Sequence, residues 1–282
     1  MRKLLIPALA AAVALAVAGI AYAANVYTVD GSTKPSGKGS PAKPLPVSLN
    51  FDYTVSDSDK ANRGIPVQKY YIGAEGLVTY PEAFPTCSGG SSAANNPDPA
   101  AAAKACKKAR VGGGVIKALV GARNAPTASQ NCVLNLNLYN LKPGNYGDFG
   151  KVGKNGGLAI RIDGDPPAPP SIDDQYKGQC LAAQHASILA TYTTVKIKGV
   201  TSDELRFTVP PELLHPVQGL DVTVRQVASA IAKKTATKKI NGVKRKVGFY
   251  SAVGCKGGKR SIQVTFVSET GQKSPVTKDG KC

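Results

Sequence analysis

The chain has 282 residues, with 36 Lys and Arg against 18 Asp and Glu, 6 Cys and no Trp. That length suffices for one large β domain or two small ones with a real core. The formal charge of +18 favours polyanionic partners, but 27 of the 36 basic residues are Lys and no stacked aromatic motif is present, so specific nucleic-acid readout is not expected.

At the N-terminus Arg2-Lys3 precedes an apolar run over 4–20, and Ala21-Tyr22-Ala23 supplies small residues at a cleavage site. Residues 1–23 therefore read as a secretory signal peptide cut after Ala23. No second long apolar run follows, so the mature chain is expected to lack a transmembrane segment and to be extracellular or held at the cell surface. The even number of cysteines fits that oxidising compartment, and no C-x-x-C pair suggests zinc or a thioredoxin-type redox site.

Residues 25–29 suit a short edge strand. The Gly/Ser/Pro/Lys stretch 31–46 reads as a linker or arm with too little apolar content to pack. Within it Ser40 and Lys43 match an S-x-x-K pattern, but neighbouring prolines forbid the helix that such chemistry needs. Residues 47–55 alternate strictly between apolar and polar, the signature of a half-buried strand. Shorter strands follow at 69–72 and 77–80. In the polar turn 56–64 that precedes them, Asp57-Ser58-Asp59 resembles the start of a calcium loop, yet Ala61 occupies the next ligand position and no glutamate closes it, so a solvated turn is expected.

Asp98 and Pro99 form an N-cap and first-turn signal for a helix over 100–109. A glycine-rich strand then covers 111–120, and further strands are expected at 132–138, 158–162, 188–197 and 205–209. Residues 166–170 read as a stiff polyproline bridge. Asp163, Asp165, Asp173 and Asp174 are the main concentration of carboxylates, but they sit on a Gly/Pro turn, and no metal or cofactor is assigned to them. His185 and His215 lie far apart without a second ligand at metal spacing, and no G-x-S-x-G is present. A hydrolase acting on a wall polymer is the alternative function, with Asp163, Asp165 and His185 as its suspected residues.

From Arg225 onward fourteen Lys and Arg face only Glu269 and Asp279. Lys238, Lys239, Lys244, Arg245 and Lys246 flank Asn241-Gly242, the strongest tight-turn dipeptide, which predicts a basic hairpin tip. That tip is either a polyanion-binding finger or a soluble edge. Local closure favours disulfides in chain order: Cys87 with Cys106, Cys132 with Cys180, and Cys255 with Cys282.

The F-P-x-C segment at Phe84–Cys87, the helical Cys106 and the V-G-x-G strand from Val111 resemble secreted, β-rich proteins of high-GC bacteria whose function is uncharacterised. The segment Val253-Gly254-Cys255 with the terminal Cys282 is similar to the closing hairpin of such proteins. The resemblance implies no catalytic residue. The expected fold is an all-β, disulfide-stabilised sandwich, immunoglobulin-like or jelly-roll-like, with one short helix. Residues 24–46 form the N-terminal strand and arm, and 47–282 form the sandwich, with a division near 210–218 left open. The expected function is non-enzymatic: a binding or structural surface protein whose partner is an anionic cell-wall polymer or polysaccharide.

Overall fold

Alternation explains the longest strands. In Leu45–Asp57, Val47, Leu49, Phe51, Tyr53 and Val55 are buried, while the residues between them are not. The computed structural model describes residues 24–58, 63–88, 90–164 and 185–282. The signal segment, Asp59, Ala61, Asp165, the polyproline bridge, Asp173, Asp174 and Cys180 lie outside the described residues.

In chain order, β1 (Asn25–Lys34), β2 (Leu45–Asp57), β3 (Val67–Ala74) and β4 (Leu77–Thr79) precede helices α1 (Gly90–Ala94) and α2 (Pro99–Cys106). Next come β5 (Arg110–Ala122), β6 (Ser129–Leu141), the short β7 (Gly144–Asn145) and β8 (Lys151–Val152), then β9 (Gly157–Gly164), β10 (Ala186–Ile197) and β11 (Val200–Thr208). Helix α3 (Pro211–Leu214) leads to β12 (Leu220–Ile231), β13 (Thr235–Ile240), β14 (Val243–Gly248), β15 (Tyr250–Ala252), β16 (Lys259–Ser268) and β17 (Lys273–Lys281).

The class is all-β and disulfide-stabilised, as the alternation and cysteines predict. Thirteen strands join in one antiparallel sheet in the order β17-β16-β3-β11-β10-β9-β6-β5-β12-β2-β15-β4, with β1 added on β2. The sheet rolls up on itself, because β1 also packs beside β17 and β16. Tyr27 of β1 stacks on Phe266 of β16 with ring centroids 4.3 Å apart. The facing layers of the expected sandwich are thus opposite walls of one barrel-like sheet. β12 sits between β2 and β5, so strands on both sides of 210–218 share that sheet.

Each wall contributes its apolar face to one interior, with Phe51, Tyr70, Leu136, Ile160, Ile188 and Phe266 among its buried residues. Burying side chains of this size contributes about 1.5–3 kcal/mol each. Outward positions carry Lys69, Asn131, Asn135, Asn137, Arg206 and Gln263. These charged and amide side chains interrupt the apolar outer band a lipid-embedded barrel requires. One end of the barrel is filled by β4, β15 and an aromatic cluster of Phe84, Tyr192, Phe249 and Tyr250, where the Tyr192 and Tyr250 hydroxyls lie 3.0 Å apart. Helix α3 lies at the other end.

Outside the wall, α1 and α2 cover a second small core of Cys87, Ala94, Cys106, Tyr139 and Ala159. Asp98 caps α2 as expected, its Oδ1 accepting from the Ala100 amide at 2.9 Å. The Cys87–Cys106 bridge closes this layer with Cα atoms 4.2 Å apart. Cys255–Cys282 also forms, and Cys132 is disulfide-bonded.

Where one short helix was expected, at α2, α1 and α3 flank it in the chain, each only about a turn long, and two further segments depart from the sequence reading. The strand expected at 25–29 runs on to Lys34, through the first residues of the supposed arm, because ladder pairing with β2 needs backbone rather than apolar side chains. The rest of the arm is held too: Gly39 bridges Val253, and Arg260 donates to the Gly37 carbonyl at 3.1 Å. The second departure is β12, whose ladder with β5 shifts register between Val224 and Gln226. This bulge reverses the phase of alternation midway and hides the strand from a period-2 scan.

Candidate polyanion-binding surface

The hairpin forms as Asn241-Gly242 predicts: Asn241 has φ 50° and Gly242 φ 78°, the doubly positive pair of a type I′ turn. Its register pairs Lys238 with Arg245, Lys239 with Lys244 and Thr237 with Lys246. Strand alternation therefore divides the five cations between two faces. Lys239, Lys244 and Lys246 share one exposed face. Lys238 and Arg245 share the other with Ala236, which packs on the core, and Val247, which is fully buried.

The inner pair lies against the protein itself. Lys238 bonds Glu82 and lies 4.8 Å over the Tyr80 ring, while the Nε of Arg245 is buried without a hydrogen-bond partner among the described residues. The outer face has no carboxylate in register, so three like charges stand together with water as their screen.

The chain enters β13 directly from Lys234, which lines a groove of ≈ 870 Å³ with Lys104, Lys107 and Arg110. No carboxylate is among its described lining residues. Sequence reading missed this site, because its cations come from α2 and its C-cap, the start of β5 and the segment after β12. Lys234 donates to the Arg110 carbonyl. Desolvation, and then the neighbouring Arg110 charge, lower the Lys234 pKa. An incoming anion would relieve that crowding.

The residues of the hydrolase alternative fall differently. Asp163 is buried and held by Arg161, whose Nε lies 2.8 and 2.9 Å from its two oxygens. Arg161 also donates to the Ala94 and Asn96 carbonyls at 2.8 and 2.6 Å. The carboxylate thus anchors α1 to the barrel wall. Ala186 pairs with Ile162, which puts half-buried His185 at the position next to Asp163 across the ladder. His215 is a strut: its Nδ1 lies 2.9 Å from Asp221 and its Nε2 2.7 Å from Glu269. Both ring nitrogens are thereby occupied. The buried Asp221 further meets Arg63 at 3.7 Å and Arg123 at 3.0 Å.

Among the described residues, no group of three or more His, Cys, Asp or Glu converges as a metal site would, and no helix is long and apolar enough to cross a membrane. No family model matches the chain, and no curated protein or solved structure is significantly similar to it.

Proposed function

We propose that the protein is an exported, non-enzymatic binding protein that attaches to an anionic cell-wall polymer or polysaccharide. The observation that carries this reading is the single exposed face bearing Lys239, Lys244 and Lys246, with no carboxylate in register. Three ammonium groups on one two-stranded ribbon present a spaced row of charge, suited to a repeating anion rather than to one bidentate ligand. The groove of Lys104, Lys107, Arg110 and Lys234 extends the cationic surface at the foot of the same hairpin. Export with cleavage after Ala23 rests on the N-terminal pattern, and the disulfides suit that destination.

The test is retention of the protein lacking residues 1–23 on teichoic-acid-bearing wall and on an acidic polysaccharide, at low and high salt. Parent protein should be retained at low salt and released at high salt, while the Lys239→Ser, Lys244→Ser, Lys246→Ser variant should elute early. Equal retention of the two proteins, or binding that resists salt, would leave the hairpin as a solubilising edge only.

A further inference from the structure

We infer that the barrel interior is a binding site for one alkyl chain, inserted from the end carrying α3. Between the walls lies a cavity of ≈ 170 Å³ whose described lining has no charged side chain. On β6 alone the lining runs from Leu134 through Leu136 to Leu138. At the rise of an extended strand that is about 13 Å, so the space is long and narrow. A cavity of comparable volume lined by Leu, Ile and Phe stays dry and takes up an apolar guest. The elongated form here selects a flexible chain over a compact ring.

Two further observations give the site direction. Toward α3, Leu134, Ile162, Phe207 and Val224 line the cavity and are only partly buried, with Leu213 and Leu214 of α3 beside them, so this is the more accessible, apolar end. At the opposite end Tyr250, which closes the space, shares its hydroxyl with Tyr192 at 3.0 Å. The Ser229 hydroxyl in the wall donates to the Phe51 carbonyl at 3.2 Å. These polar atoms are already partnered, and the Tyr53 and Tyr70 hydroxyls that also line the space bond each other, so the interior selects by shape and apolarity, and any head group of the ligand stays at the α3 end.

The experiment is a titration of the protein lacking residues 1–23 with cis-parinaric acid, followed by its fluorescence, with lauric acid and uncharged dodecanol as competitors. Ala118→Leu fills the cavity from the wall, and Val224→Phe does so at the partly buried α3 end, where added bulk is better tolerated by the fold. Saturable binding is expected, displaced by both competitors, indifferent to salt and weakened about tenfold or more in either variant that keeps the parent circular-dichroism spectrum. The proposal is overturned by absence of saturable binding, by displacement with lauric acid but not dodecanol, or by unchanged affinity in both filled variants. Because the hairpin variant should keep parent affinity for the probe, loss of polymer retention and loss of alkyl binding report on separate surfaces.

Discussion

Lys239 and Lys244 stand directly opposite one another across the β13–β14 ladder, next to a doubly left-handed turn. Like charges in that position destabilise the pair by up to about 1 kcal/mol. Replacing Lys244 by Glu should therefore raise hairpin stability slightly while weakening polymer retention. Thermal melting and the salt-elution profile, measured on the same preparation, read the two effects separately. Unchanged retention would count against the outer face as the binding surface.

The inner face should respond in the opposite way. Lys238 packs on Tyr80 and Glu82, so Lys238→Ser should cost up to about 1 kcal/mol by loss of an exposed pair and a cation–π contact, with little change in retention. A denaturant midpoint shifted at constant m-value checks this.

The Arg161–Asp163 pair predicts a larger effect. Asp163→Asn leaves a buried guanidinium without its counter-charge and should destabilise by about 3–5 kcal/mol. Because Arg161 also holds the Ala94 and Asn96 carbonyls, amide exchange in α1 should accelerate first. A stable Asp163→Asn protein that lost a hydrolytic activity would instead revive the enzyme alternative.

Alkaline pH should open the core. Burial is the chief cause that raises the hydroxyl pKa values of Tyr53, Tyr70, Tyr192 and Tyr250 above their ordinary value. Since each is raised in the folded state, its contribution is fully present below the unfolded value of about 10 and is lost as pH climbs toward the folded one. Tyrosinate absorbance should show these four ionising only together with loss of the folded circular-dichroism signal, after the more exposed tyrosines.

Removing Cys255–Cys282 should cost about 3–4 kcal/mol by the loop-entropy relation for a separation of 27 residues. The double Cys→Ser variant should lose exchange protection in β17 before β6. Uniform loss across both strands would show that the bridge does not act locally on the barrel seam.

Local chemistry was the legible part of the sequence. The Asp98 cap, the Asn241-Gly242 turn and the 47–55 alternation each have a short-range cause and appear where that cause puts them. The hairpin cations were legible as a cluster, but their division between faces depends on register, which pairs Lys238 with Arg245. The groove needed Lys104 and Lys234, far apart in the chain, to be brought together. The apolar cavity was illegible for another reason: residues such as Leu134 and Phe207 carry the same pattern whether the space behind them is filled or empty. β12 was missed because its bulge breaks the one signal a strand offers.

The seam where β1 adjoins β16 and β17 joins opposite ends of the described chain. Likewise, the Ser229–Phe51 bond spans 178 residues. Local hairpins such as β5–β6 and β10–β11 can form early, but bringing such distant strands together is slow, on the order of milliseconds to seconds. Until that happens, the inner surface lined by Phe51, Ile160 and Phe266 faces water as an unpaired apolar sheet. The contact that encloses the interior therefore sets an aggregation-sensitive interval during folding, and a holdase that masks apolar strands should raise the yield of refolding more than a disulfide catalyst does.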